Sequence, residues 1–93
     1  MKPQAHGTVY LIHFNRPLAH AHYYMGWTTN LEKRLAAHET GNGSRLMEVI
    51  TQAGIPWRLA RTWRGSRSLE RRLKNQKNGP RLCPICQEIR AHP

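Results

Sequence analysis

The chain has 93 residues, 15 of them Lys or Arg against 5 Asp or Glu, and a formal charge of +10. That length is room for one domain, 1–93, which buries only roughly 60–65% of the surface its unfolded chain exposes, so a small core without a large active-site cavity is expected. No stretch is long and apolar enough to span a membrane and no secretory signal is visible, so a cytoplasmic setting without membrane contact is expected. The charge favours an acidic partner, nucleic acid above all, because neutralising phosphates releases counterions.

Residues 8 to 14 (Thr-Val-Tyr-Leu-Ile-His-Phe) are β-branched, aromatic and nearly all apolar. They read as a strand buried on both faces. Residues 15 to 19 read as a turn, and residues 22 to 27 as a second strand joined to the first in an antiparallel hairpin. The connection is expected to be longer than the tight two-residue type. Thr29-Asn30-Leu31-Glu32 has a capping-box pattern, with Thr29 as the cap, and predicts a helix from about Asn30 to Glu39 that ends near Gly41. Ser44 can cap a second helix that stops before Gly54 and Pro56. Residues 57 to 63 read as a third strand, and Gly65-Ser66 open a last helix to about Lys77, stopped by Gly79-Pro80. The order is ββααβα, an α/β or α+β arrangement with a small three-stranded, mainly antiparallel sheet flanked by helices. The core spans about 7–78, and 79–93 is a tail carrying Cys83 and Cys86.

Chemistry gathers on a few of these elements. At about 100° per residue, Leu31, Arg34, Leu35 and His38 form one stripe of the first helix. Arg34 there either opens to a cleft or extends from the core edge to water. Tyr10 and Tyr24 sit mid-strand and can lie close on one face of the hairpin, although a buried tyrosine ordinarily just packs its ring and bonds its hydroxyl. Glu70 stands among Arg67, Arg71, Arg72 and Lys74. It reads either as half of an ordinary i, i+4 ion pair with Lys74 or as a carboxylate for a divalent cation.

Tyr10, Tyr24, Arg34, His38 and Glu70, in that order and spacing, resemble the GIY-YIG nuclease superfamily, short stand-alone members most closely. Tyr24-Met25-Gly26 through Arg34 and His38 is similar to its second motif and following helix, and residues 8 to 10 sit where its first motif sits. The likeness covers residues 8 to about 78. It departs from the family pattern at Thr8, which replaces a glycine, and at Val9 and Met25, which replace isoleucines; these are backbone or packing positions. The resemblance implies an endonuclease that hydrolyses DNA with one Mg²⁺ or Mn²⁺ and low intrinsic sequence specificity. Tyr10 would accept the proton of the attacking water, Arg34 would hold the scissile phosphate, and Glu70 would hold the metal. Tyr24 and His38 would position the phosphate, the water or Tyr10, and Asn75 or Asn78 would be the polar residue after the glutamate. The DNA would be bound structure-specifically or nonspecifically, with sequence specificity weak or supplied by a protein partner.

Arg58, Arg61, Arg64, Arg67, Arg71, Arg72, Lys74 and Lys77 run from the third strand through the last helix and are expected to supply a phosphate-contacting surface. Trp27, Trp57 and Trp63 are expected as core anchors, and His6, His13, His20 and His22 lie around the hairpin. Cys83-Pro84-Ile85-Cys86 has the spacing of half a zinc site, with His92 a third ligand within sequence reach. With no second such pair, packed cysteines are the reading favoured over zinc. Two rivals to a nuclease stand: a nucleic-acid-binding module on the same scaffold that does not cut, and a small zinc- or thiol-dependent interaction protein.

Overall fold

A computed structural model describes residues 7–19, 21–75 and 83–85. The chain runs β1 (Gly7–Leu18), β2 (Ala21–Thr28), α1 (Leu31–Glu39), α2 (Arg45–Gln52), β3 (Trp57–Gly65) and α3 (Arg67–Asn75). The three strands form one sheet in the order β2-β1-β3, and both pairings are antiparallel. The ββααβα order and the mixed α/β architecture are those expected from the sequence.

β1 is the central strand, and residues Val9 to Phe14 are all buried. Its alternation feeds two cores. Tyr10, Ile12 and Phe14 pack with Met47, Ile50 and Ile55, and Leu31, Leu35 and Trp57 close that cluster. Val9, Leu11 and Met25 pack with Cys83 on the opposite face, flanked by Leu69 and Leu73 of α3. Burying a side chain the size of Ile12 or Leu11 contributes about 1.5–3 kcal/mol. Two small cores sharing one strand therefore hold the domain together. Cys83 and Ile85 belong to the second core, so this part of the tail beyond residue 79 packs on the sheet.

Three local expectations are corrected. Residues 15 to 18 extend β1, which pairs Leu18 with Ala21, so the connection is two residues long and turns through Ala19 at φ 53°. The pairing is irregular between His13 and Leu18, where Pro17 has no N–H to give to a ladder. The cap of α1 is Asn30, not Thr29: its side chain accepts from the Lys33 N–H at 3.1 Å, while the Thr28 hydroxyl bonds the Asn30 carbonyl at 3.2 Å. Lastly, β3 carries one extra residue, because Leu11 pairs with Arg61 but Ile12 pairs with Leu59. Ala60 is a bulge.

The other helix ends follow the sequence. Gly41 follows α1 at φ 81°, Gly54 follows α2 at φ 68°, and Ser44 caps α2 by accepting from the Met47 N–H at 3.1 Å. α3 is described to Asn75; the expected extension to Lys77 and the stop at Gly79-Pro80 lie outside the described residues. Among the described residues, no helix is long and apolar enough to cross a membrane.

Candidate active site

The hairpin register sets Tyr10 opposite Gly26 and Ile12 opposite Tyr24, so both tyrosines share a face, diagonal to one another. An ideal Cβ at Gly26 would overlap the Tyr10 hydroxyl and ring carbons. The Tyr10 ring therefore lies over Gly26 and occupies the space a side chain would need. α1 crosses this face and delivers His38 into it. The rings of Tyr10, Tyr24 and His38 form a compact triangle, with centroids 6.1 Å apart for the two tyrosines, 5.6 Å for Tyr10 and His38, and 5.3 Å for Tyr24 and His38. Trp57 meets His38 edge-on at 6.5 Å.

Tyr10 and His38 have no exposed surface, and the Tyr10 hydroxyl lies 2.8 Å from His38 Nε2. Burial raises the Tyr10 pKa well above the ordinary phenol value, and the adjacent Tyr24 raises it further, while Arg34 opposes the shift. Burial lowers the His38 pKa, and Arg34 lowers it further. A protonated phenol thus meets a neutral imidazole. We assign Tyr10 as donor and Nε2 as acceptor. His38 Nδ1 is buried with no hydrogen-bond partner among the described residues, and a Cβ at Gly43 would overlap it. The imidazole is clamped between Tyr10 and the Gly43 backbone.

This clamp predicts a pH effect. In the unfolded chain His38 takes a proton near the ordinary value of about 6.5, but in the folded chain it takes one only at lower pH. Stability is therefore complete above pH ~6.5 and falls as the pH drops through the lowered folded value, with a slope approaching 1.4 kcal/mol per pH unit from this one group, a rough upper figure. Urea unfolding between pH 7.5 and 5 checks it. The wild type should lose more stability on acidification than His38→Gln, and equal losses would sink the assignment.

Arg34 is half-buried and reaches a groove of about 470 Å³ lined also by Thr28, Thr29, Asn30 and Lys33. Of the two ways a guanidinium can sit beside an apolar stripe, the open cleft is the one present. Tyr24 keeps some exposed surface and is the phenol with access to solvent. Glu70 comes from α3, one helical step past the core residue Leu69. Its side chain is 17% exposed and lies 3.6 Å from Lys74 Nζ, whose side chain is 52% exposed. The Glu70 charge raises the Tyr10 pKa and the Arg34 charge lowers it, while the ring triangle itself joins β1, β2 and α1. Glu70 is then an ion-pair partner of Lys74 whose charge is also felt at Tyr10. One carboxylate, filled out by waters and substrate phosphate, is a donor set that Mg²⁺ accepts. Among the described residues no three His, Cys, Asp or Glu side chains cluster to hold a metal without substrate or water.

The basic segment divides. Arg58, Arg61, Arg64, Arg67, Arg71, Arg72 and Lys74 are all exposed, while Lys77 and Asn78 lie outside the described residues. Arg64 pairs with Thr8 and shares Tyr10's face; Arg58 and Arg61 pair with His13 and Leu11 and share the opposite one. Arg61 stacks 4.6 Å from the Trp63 ring centroid and Arg67 stacks 5.0 Å from that of Trp27. A groove of about 620 Å³ runs between Arg64 and Arg72 along Gly65, Ser66 and Leu69. Trp27, Trp57 and Trp63 are half-buried at the core margins rather than inside. Asn75 is exposed at the end of α3. His13 is buried, and its Nδ1 lies 3.5 Å from Cys83 Sγ.

Sequence reasoning missed Gly26 and Gly43 as parts of the site. The signal for Gly26 was available in the hairpin register, which sets a glycine opposite a tyrosine. For Gly43 there was none. Comparison of the chain with protein families, curated proteins and solved structures returns no match.

Proposed function

We propose that the protein is a divalent-metal-dependent endonuclease of the GIY-YIG type that hydrolyses phosphodiester bonds in DNA. The observation that carries this reading is the triangle of Tyr10, Tyr24 and His38, with the charges of Arg34 and Glu70 both felt at Tyr10. Arg34 binds a phosphate at its groove, where a planar fork suits two oxygens. Tyr24 meets the attacking water. Burial makes Tyr10 a poor base alone and keeps it from solvent, so the water's proton would go to the Tyr24 hydroxyl, the Tyr24 proton to Tyr10 and the Tyr10 proton to neutral His38 Nε2. Glu70 would hold a divalent ion, giving up its contact with Lys74, and such an ion would supply charge neutralisation at the leaving oxygen. The exposed arginines hold the DNA backbone with little regard to sequence, and a protein partner would add specificity.

The test is cleavage of supercoiled plasmid and of a labelled branched duplex with Mg²⁺, Mn²⁺ or EDTA, comparing wild type with Glu70→Ala. Cutting that needs metal and is lost in the variant supports the proposal. Binding that weakens steeply with added salt, with no cutting by either protein, supports the non-catalytic nucleic-acid module in its place.

A further inference from the structure

The turn between α1 and α2 carries a reactive pair of residues that the proposed chemistry does not use. Asn42 is exposed and is followed by Gly43. Neither belongs to a helix or a strand. The Gly41 and Asn42 N–H groups return to the carbonyls of His38 and Ala37, at 3.0 and 2.8 Å. The Gly43 N–H has no main-chain acceptor among the described residues. Asn42 Nδ2 donates to the Thr40 hydroxyl at 3.1 Å, so this side chain folds back along its own turn.

A main-chain nitrogen can close a five-membered ring onto the side-chain carbonyl of the asparagine before it. A side chain on the following residue crowds that approach; glycine has none and turns freely. The position gives the reaction a consequence. Gly43 is seated on the His38 ring, where a Cβ would overlap Nδ1 and its neighbouring ring carbons. The main chain here has no slack against the imidazole whose Nε2 lies 2.8 Å from the Tyr10 hydroxyl. Asn42 also stands at the end of α1, and a negative charge at a helix C-terminus is unfavourable.

We propose that Asn42 is a modification site, converted spontaneously to aspartate and isoaspartate, and that the isoaspartate form unseats His38. The Gly43 nitrogen gives its proton to solvent and attacks Cγ of Asn42. The new N–Cγ bond closes a succinimide, the Cγ–Nδ2 bond breaks, and Nδ2 leaves as ammonia. Water then opens the ring. Attack at Cγ gives aspartate on an unchanged main chain. Attack at the main-chain carbonyl gives isoaspartate, with the chain rerouted through the side-chain carbon. One water is consumed, one ammonia is released, and nothing is oxidised or reduced. Either product adds a negative charge at the end of α1, and isoaspartate also lengthens the main chain by one carbon immediately before Gly43.

The test needs no DNA cleavage and stands apart from the nuclease reading. Folded protein is held in mildly alkaline buffer, sampled over time, digested with trypsin and followed by mass spectrometry. The tryptic peptide 35–45 contains Asn42 as its only side-chain amide. It should gain the acid form steadily, in aspartyl and isoaspartyl versions that separate by chromatography. Asn30 precedes Leu31 and is held by its bond from the Lys33 N–H, so it should stay intact over the same period. Asn78 also precedes a glycine but falls in a different tryptic peptide, so its conversion is counted separately. The His38 imidazole resonances should shift in proportion to the isoaspartate formed at position 42, and Asn42→Ser protein aged alongside should keep its resonances in place. Conversion in peptide 35–45 no faster than at Asn30 would overturn the modification site. Isoaspartate at position 42 with unmoved His38 resonances would overturn its effect on the imidazole.

Discussion

Replacing Tyr10 with Phe is expected to lower DNA cleavage by about 10²- to 10⁴-fold, the range a positioned proton-transfer group supplies, while leaving the fold in place. The ring is the part of Tyr10 that fills the first core with Ile12, Phe14, Met47 and Ile50, and Phe keeps it. What Phe removes is the hydroxyl 2.8 Å from His38 Nε2. That nitrogen is then buried without a donor, which costs roughly 1–3 kcal/mol. For a domain of this size each kcal/mol lowers Tm by about 4–8 °C. Tyr24→Phe should cost less stability, because its ring borders solvent. Single-turnover cleavage at saturating DNA, beside thermal unfolding of both variants, makes the check. Wild-type cutting by Tyr10→Phe would remove Tyr10 and His38 from the proton path, whatever the stability change.

The second large effect belongs to Gly26. Alanine there would place its methyl where the Tyr10 hydroxyl and ring now lie. The ring is wholly buried and bordered by the rings of Tyr24 and His38. Overpacking of this kind costs about 1–3 kcal/mol, and any relief turns the phenol away from His38. Gly26→Ala should therefore lose both stability and cleavage. A double-mutant cycle isolates the cause. If the clash is with Tyr10, Gly26→Ala should cost much less in a Tyr10→Leu background, with a coupling energy of about 0.5–3 kcal/mol. Additive losses would mean that the glycine is required for the strand backbone and not for the phenol above it.

Much of the architecture was legible because local signals agreed with one another. The unbroken apolar run at residues 8 to 14 marked a strand with two buried faces, and β1 proved to be the centre of the sheet. Ser44, Gly41 and Gly54 marked helix ends that the backbone bears out. The hairpin connection was misjudged because Asn15, Arg16 and Pro17 have turn-like composition, yet the strand continues through them with irregular pairing. Cap chemistry was off by one residue because Thr28, Thr29 and Asn30 can all accept a backbone donor, and only the path of β2 decides which is placed to do so. In the site, helical spacing located His38 and Arg34. It carried no information on the burial that fixes the protonation of Tyr10 and His38, which depends on Gly43 and Trp57 arriving from elsewhere. The meeting of His13 and Cys83 was illegible for the same reason: it joins the first strand to the far end of the chain.

The bulge at Ala60 has a consequence for how such a chain can change over generations. Strict alternation along β3 would set Trp57, Leu59, Arg61 and Trp63 on one side. The additional residue instead sends Trp57 and Leu59 to the side of Phe14 and Ile12, and Arg61 and Trp63 to the side of Leu11 and Val9. Losing one residue here would exchange the two furnishings at a stroke, sending Trp57 away from His38 or Trp63 away from Val9. Point substitutions along this strand are graded and local by comparison. β3 should therefore drift freely in residue identity while holding its residue count fixed, whereas insertions and deletions accumulate in the turns at its two ends.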